Sequence, residues 1–307
     1  MRSLKLLAPR QAQIVESDTP EPGPGEVLVR IAACGVCGSD LNAWRGVSGI
    51  EYPLAPGAPG HEVWGEVIAS GAGVVSPRPG ERVTGLMWNG LAECGLAMAD
   101  NLVRVPEGFG SLPVLGEPLA CAMNVLRRSQ LQPGQRLAIV GFGYLAALIA
   151  QLLTETAWVA ISRREDSRRL ATRLGAQAAY DFGEVPSEAW DSFPVVIEAA
   201  GVQQTLDFAT WLTAYGGRLV IAGYHADGPR IVNMQSWNWK GIDVINAHER
   251  RPAVYLEALR SAFERLRESP RDLAMLHTHT FSLDEVAEAF ATAEARPGGF
   301  VKALVCP

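Results

Sequence analysis

The sequence predicts an α/β protein built from two differently organised units, and three observations carry that expectation. About the first 110 residues offer short runs of alternating apolar and polar residues between Gly and Pro punctuation. From Glu117 onward, short apolar runs alternate with helical segments of roughly 10–15 residues, the pattern of βαβ units in a doubly wound parallel sheet. The turn Gly141-Phe142-Gly143 interrupts the longest apolar stretch at the junction of a strand and a helix.

The size and composition fit this organisation. A chain of 307 residues and 33.0 kDa accommodates two domains and a sizeable core. Hydrophobic residues make up 48% and charged residues 20%, so the chain needs no staples to fold. Five scattered cysteines, an odd number, exclude a disulfide scaffold and suit a reducing compartment. A net charge of −6 and a pI of about 5.5 imply no general attraction to nucleic acid or to an anionic membrane. The opening MRSLKLLAPR has no long apolar run and no small-residue cleavage site, so no secretory signal is expected. The stretch 137–153 is marginal as a membrane span and is broken by the glycine turn. The cytoplasm is the expected location.

In order along the chain, residues 26–32 alternate as a half-buried strand after the turn signal PEPGPGE, and 63–69 and 82–86 are similar. A helix is expected over 118–131, stopped by Gln132-Pro133-Gly134. Residues 136–140 form a buried strand, 144–153 a helix, and 158–162 a strand. The helix 167–174 closes on Gly175, suited to a left-handed cap. Strand 194–198, helix 203–213 and strands 218–222 and 242–246 continue the alternation. From Arg251 two more helices and a closing strand follow, the second helix opened by the capping box Ser282 to Glu285. There is no internal repeat.

The segment Gly141-Phe142-Gly143-Tyr144-Leu145-Ala146 follows a strand and opens a helix, and reads G-x-G-x-x-A. The first glycine permits a tight turn and the second a close backbone approach to a pyrophosphate. The helix N-terminus then offers unpaired N–H groups and a positive dipole end. Gly141, Gly143, Tyr144 and Leu145 are therefore expected against a dinucleotide, joined by Gly201, Gly223 and Asn246 at the ends of later strands. The second strand ends Ser162-Arg163-Arg164, with no acid to read a ribose 2′-hydroxyl. A serine hydroxyl and guanidinium forks suit a 2′-phosphate, so NADP(H) is expected over NAD(H). The plainer alternative is that these arginines join Arg168, Arg169 and Arg173 on a solvated helix face.

Three patches in the β-rich unit concentrate ligand-type residues: Cys37-Gly38-Ser39-Asp40, Gly60-His61-Glu62 and Glu117-Pro118-Leu119. A thiolate, an imidazole and carboxylates suit a catalytic zinc site with an open position. Together with VIEAAG, GERV and the closing FSLDEVAEAF and GGFVKALV segments, CGVCGSD and PGHEVWGEV resemble the zinc-dependent medium-chain dehydrogenase/reductase family, the alcohol and sorbitol dehydrogenases. The resemblance covers nearly the whole chain.

It implies a GroES-like β-rich catalytic domain over 1–118 and 247–307, interrupted by a Rossmann domain over 119–246. It implies Cys37 and His61 as zinc ligands, with Glu62 and Glu117 as further ligands or close neighbours. Cys121 stands one residue from the position where another branch keeps a second cysteine. Ser39 falls where the family keeps a proton-relaying hydroxyl, so Ser39, Cys37 and His61 form the expected catalytic set, with one catalytic zinc ion per chain. Asp40 is expected to hold the loop and Cys34 to pack. Trp44 falls where pocket-wall side chains sit, with pocket and core both open. Asn246 and His248, in the unusual polar segment 237–250, are expected to face a polar small-molecule substrate. His225 lies after a strand end near the cofactor, and a structural or surface role is expected for His277 and His279.

The chain departs from the pattern in one place. Gly80-Glu81-Arg82-Val83 runs through Leu86 to Gly90 almost directly into Leu91-Ala92-Glu93-Cys94, so the four-cysteine structural zinc lobe is missing. The expected function is hydride transfer between NADP(H) and an alcohol or polyol. A non-redox zinc lyase or hydrolase is the alternative, and a non-catalytic nucleotide-binding sensor a third. A homodimer or homotetramer through the edge strand near Ile242 is what the family implies.

Overall fold

A computed structural model describes residues 1–47, 49–110 and 112–307. An antiparallel hairpin, β1 (Arg2–Ala8) and β2 (Gln11–Glu16), opens the chain and buries Leu4 and Leu6. The strand β3 (Glu26–Gly35) follows, then a short helix α1 (Asp40–Arg45) and strands β4 (Glu62–Ser70), β5 (Arg82–Gly85), β6 (Cys94–Met98) and β7 (Leu102–Arg104). Helix α2 (Gly116–Ser129) leads into the alternating segment.

That segment runs β8 (Leu137–Val140), α3 (Tyr144–Leu152), β9 (Trp158–Ile161), α4 (Glu165–Arg173), β10 (Ala178–Tyr180), β11 (Phe193–Glu198), α5 (Gln203–Leu212), β12 (Thr213–Ile221), α6 (Met234–Lys240) and β13 (Asp243–Asn246). Helix α7 (Pro252–Glu268), β14 (His279–Ser282), α8 (Val286–Ala295) and β15 (Ala303–Cys306) close the chain. Two compact units result: Met1–Ala120 with Arg251–Pro307, and Cys121–Arg250.

In the first unit a seven-stranded sheet has the order β14-β15-β3-β4-β5-β7, with β6 also on β3. Its register sets the chemistry. Strand β3 pairs with β4 so that Gly35 faces Glu62 and Cys34 faces Val63. On its other side β3 pairs with β15, Gly35 facing Leu304. The loop carrying Cys37 therefore lies beside the start of β4, and Lys302 arrives from the C-terminal segment. A Cβ at Gly35 would meet Leu115 Cδ1 at 2.5 Å and Lys302 Cε at 2.8 Å, so only glycine allows these side chains to cross β3.

The core of this unit includes Trp44, only 5% exposed and stacked on Phe290 at 5.2 Å and 15°. Trp44 thus packs within the hydrophobic core of this unit. Its stacking partner comes from α8, which the sequence around Trp44 does not reveal.

In the second unit the six strands are all parallel in the order β10-β9-β8-β11-β12-β13. Strands β8 and β9 are buried throughout, which is why they read as unbroken apolar runs. Gly175 takes φ +96 just past α4, the left-handed position its sequence context predicts. The polar segment after 237 is not a loop throughout: Trp237 to Lys240 end α6, where the Lys240 ammonium donates to Thr210 O at 2.7 Å. No helix among the described residues is long and apolar enough to cross a membrane.

Phe290 is fully buried. Replacing it with alanine removes the stack on Trp44 and should cost about 3–5 kcal/mol, read as a lower urea midpoint; an unchanged midpoint would show that the cavity collapses without loss.

Candidate functional site

The ligand atoms of Cys37, His61 and Glu62 lie within 4.8 Å of one another. Sequence places them on two segments, and the β3–β4 register brings them together. Asp40 opens α1, is 2% exposed, and accepts the Cys37 N–H at 2.8 Å. Its other oxygen lies 3.0 Å from His61 Nδ1. Asp40 therefore shapes the loop, as expected, and also orients the imidazole, which sequence reasoning missed. With Nδ1 held, Nε2 is the nitrogen left to meet a metal. Burial opposes charge on His61, but the Asp40 carboxylate and Cys37 outweigh it and raise its pKa. Burial, then the neighbouring Glu62 carboxylate, push the Cys37 thiol up.

Glu62 is 2% exposed and forms an ion pair with Lys302. Lys302 also donates to Val36 O at 2.9 Å. Burial disfavours the Lys302 charge, yet Glu62 and Cys37 hold its pKa above the usual lysine value. A half-buried thiol and imidazole this close to a buried carboxylate form a donor set that a divalent cation complements, and the set fits zinc.

Glu117 stands in the first turn of α2, outside that ligand-distance group. Burial raises its pKa, with His61 pulling it down and Glu62 pushing it up, so it lies within electrostatic reach of the site. Tyr255 donates its hydroxyl to the Glu117 carbonyl at 2.5 Å. Ser39 is half-buried at the N-cap of α1, and its side chain makes no cap hydrogen bond. Cys34 is fully buried, which drives its thiol pKa up and suits the packing role expected of it. His277 is held neutral by burial and by Lys302, its pKa pushed down to about 4, in keeping with a structural role.

In the second unit, Gly141 takes φ +85, and a Cβ there would meet Ala200 N at 3.0 Å. Gly143, the N-cap of α3, has nothing within 4 Å of where a Cβ would stand, so the helix N-terminus opens onto free space. Tyr144 and Leu145 are half-buried in the first turn, and Ala146 packs at 0% exposure, the small third position of the fingerprint. Ser162 is 7% exposed at the tip of β9, Arg163 is exposed and Arg164 stands at the N-cap position of α4.

Arg168 supports this tip. Its Nη1 donates to Ser162 O at 2.8 Å, Arg163 O at 2.9 Å and Asp181 Oδ2 at 3.0 Å. Asp181, just past the neighbouring strand β10, is thereby engaged by an arginine of the chain itself.

Gly201 and Gly223 owe their identity first to the close packing of the turns after β11 and β12. A Cβ on Gly201 would meet Tyr224 O at 2.5 Å, and one on Gly223 would meet Gly201 Cα at 2.7 Å. Glu198, wholly buried, accepts from Ala200 N at 2.8 Å, Gly201 N at 2.7 Å and Thr205 Oγ1 at 2.6 Å. His225 Nε2 lies 3.1 Å from its second oxygen, and Arg230 Nε donates to His225 Nδ1 at 2.7 Å. Arg230 therefore makes Nδ1 the acceptor and leaves the ring proton on Nε2, toward Glu198. Asn246 ends β13 and accepts the His248 N–H at 2.9 Å. The His248 ring stacks on Tyr224 at 6.3 Å.

Residues 23–126 match the alcohol dehydrogenase GroES-like domain, and residues 131–264 the zinc-binding dehydrogenase domain. An alcohol dehydrogenase of Geobacillus stearothermophilus is 30% identical over 71% of this chain and 75% of its own. The chain belongs to the zinc-dependent medium-chain dehydrogenases. A 2-dehydro-3-deoxy-L-galactonate 5-dehydrogenase of Pseudoalteromonas atlantica is 28% identical over 99% of this dehydrogenase and 98% of its own length. A zinc-binding dehydrogenase of Sinorhizobium meliloti, solved with NADP, superposes with a TM-score of 0.85 at 25% identity, covering 100% of this chain and 99% of that one. The protein is an oxidoreductase of small molecules that works with zinc and a nicotinamide cofactor, and membership favours redox chemistry over the lyase, hydrolase and sensor alternatives.

Removing the Asp40 carboxylate frees the His61 ring. Asp40→Ala should weaken zinc retention about 10–100-fold, measured by competition with a chelator; wild-type retention would show that Asp40 serves the loop alone.

Proposed function

We propose that this dehydrogenase is NADP(H)-linked, holds one catalytic zinc ion per chain, and oxidises polyols or sugar-derived alcohols or reduces the corresponding carbonyls. The observation that carries it is the clustered Cys37, His61 and Glu62 donor set, backed by Asp40 and with Ser39 on the same loop as Cys37. When bound, zinc supplies Lewis acidity toward the alcohol or carbonyl oxygen, and the nicotinamide ring accepts or donates the hydride.

The chain's own residues do the rest. Cys37 and His61 hold the metal, and Asp40 fixes the imidazole through Nδ1. Glu62 is the third donor, its charge shared with Lys302, and Glu117 serves the site directly or through water. The Ser39 hydroxyl, not engaged in capping α1, passes the alcohol proton outward. Gly141 and Gly143 admit the pyrophosphate to the N-terminus of α3.

Cofactor preference rests on the β9 tip. Ser162, Arg163 and Arg164 present a hydroxyl and two guanidinium groups, and Arg168 braces the backbone that carries them. The NADP in the Sinorhizobium meliloti relative supports this choice. Asn246 and His248, at the C-terminal end of β13, serve the nicotinamide and a polar substrate. The sugar-acid dehydrogenase among the relatives supports that substrate class.

The chain acts as a homodimer or homotetramer. Strand β13 is a sheet edge with Val244 37% exposed, and Tyr215 and Trp239 stand 59% and 79% exposed in the same unit.

Elemental analysis should return one zinc per chain, and Cys37→Ser should lose both zinc and turnover; two zinc ions, or an active variant, would overturn the assignment. Comparison of kcat/KM should favour NADP(H), and a clear preference for NAD(H) would sink the 2′-phosphate reading. Sedimentation should give two or four times the 33.0 kDa chain mass, and a monomer would refute the assembly.

A further inference from the structure

We propose that His225 is a positioning residue for the nicotinamide cofactor. Its neutral imidazole ties the loop after β12 to Glu198 and so holds the turn that packs against Gly141. Charging the ring breaks that tie, and cofactor affinity falls as the solution turns acid. The inference rests on the reading above that the Gly141 turn admits the pyrophosphate.

One side chain sets the turn after β11. Glu198 is wholly buried, and its Oε1 accepts the Ala200 N–H at 2.8 Å and the Gly201 N–H at 2.7 Å. Ala200 in turn lies against the first glycine of the dinucleotide fingerprint, where a Cβ on Gly141 would meet Ala200 Cα at 3.2 Å. A shift of Glu198 therefore moves the backbone on which the glycine turn rests.

The second carboxylate oxygen faces the loop after β12, where it meets His225 Nε2 at 3.1 Å. Arg230 holds the ring from the other side, donating from Nε to His225 Nδ1 at 2.7 Å. The same guanidinium donates from Nη2 to Gly201 O at 2.8 Å and forms an ion pair with Asp227. The side chains of His225 and Arg230 are 16% and 14% exposed. Arg230, His225, Glu198 and Gly201 thus close a circuit of hydrogen bonds. The far end of the loop is fixed independently, since the Gln203 side chain accepts the Ile231 N–H at 2.9 Å and donates to Ile231 O at 2.8 Å.

The circuit needs one acceptor and one donor from the imidazole, which only the neutral ring supplies. A second proton, on Nδ1, makes both nitrogens donors and turns the ring away from the guanidinium. Among the described residues, the charged groups facing the ring are Glu198 from β11, and Arg230 and Asp227 from its own loop. The two carboxylates favour the added proton, and Arg230 opposes it and is the partner displaced. Histidine is the side chain that ordinarily changes charge in the mildly acid range. Once Nδ1 is protonated, Glu198 keeps its imidazole, but Arg230 loses its hold on the ring and with it the fixed position from which it grips Gly201. A cofactor that binds the closed circuit better than the open one binds more weakly in acid, and by linkage it expels a proton as it binds. His225 acts through Glu198 and touches no reacting atom, so its signature belongs to binding and not to the hydride step.

The test uses the full-length, zinc-loaded enzyme. Nicotinamide fluorescence gives the affinity for NADPH and NADH between about pH 8 and about pH 5.5 in wild type, His225→Ala, His225→Gln and Arg230→Met. Glutamine supplies an amide donor and an acceptor and does not titrate. Wild-type affinity should fall about tenfold across this range, beyond any loss that all four proteins share. His225→Gln should recover most of the neutral-pH affinity that His225→Ala loses, and its extra acid loss should vanish. Arg230→Met should bind weakly at every pH, also without the extra loss. The cofactor KM, not kcat, should carry these effects, with zinc content at each pH as the control. A His225→Gln profile parallel to that of wild type overturns the proposal, as does an Arg230→Met profile that keeps the wild-type acid loss. Should the glutamine variant fail to fold, Arg230→Met decides alone. If wild type binds neither dinucleotide, the reading of the Gly141 turn fails and this inference falls with it.

Discussion

No charge in the first unit can be buried alone, and the arrangement of β3, β4 and β15 follows from that constraint. Asp40, Glu62 and Lys302 are 2%, 2% and 4% exposed, and an unpaired charge at such depth costs several kcal/mol. Asp40 meets His61 at 3.0 Å, and Glu62 meets Lys302. The first pairing needs the loop after β3 beside the start of β4. The second needs the C-terminal strand on the opposite side of β3. Gly35, between them, leaves the space in which the second pair crosses the strand. Moving β15 out of register would strand two opposite charges at once, so the final segment of the chain is bound to the site by electrostatics as well as by its ladder.

The second unit obeys the same rule with a different outcome. Glu198 is wholly buried, and its oxygens are met by two backbone N–H groups, the Thr205 hydroxyl and His225. Those bonds hold the turn at Gly201 against Gly223, which keeps the C-terminal ends of β11 and β12 close. The N-terminus of α3, by contrast, faces open space at Gly143. Donors are satisfied internally where the chain packs on itself and left for an anion where it does not.

Much of the fold was legible because its signals are local. The G-x-G-x-x-A turn, the buried runs of β8 and β9 and the cap at Gly175 each depend on residues a few positions apart. The hairpin of β1 and β2, helix α6 and the short strands β6, β7, β10 and β14 were not expected, since their apolar runs are brief and stabilised by distant partners. In the site, Cys37, His61 and Glu62 stood out as residue types within recognisable motifs. Lys302 did not, because a lone lysine in a closing strand carries no mark of the carboxylate it will meet. Arg168 looked like one more arginine on a solvated helix and proves to brace the tip of β9. Trp44 shows the same limit: its context does not reveal that Phe290 covers it.

By itself the sequence determined what neighbours along the chain can decide: the alternation of strands and helices, the glycine turn, the kinds of donor available for zinc, and the absence of the cysteine-rich lobe. The tertiary structure alone decided which charges pair, which ring is core, and which nitrogen of His61 remains for a metal. The physical reason is range. Backbone propensity and glycine geometry act within a few residues, whereas pairing a buried charge requires strand register, and register brings Lys302 to Val36 across 266 positions of sequence.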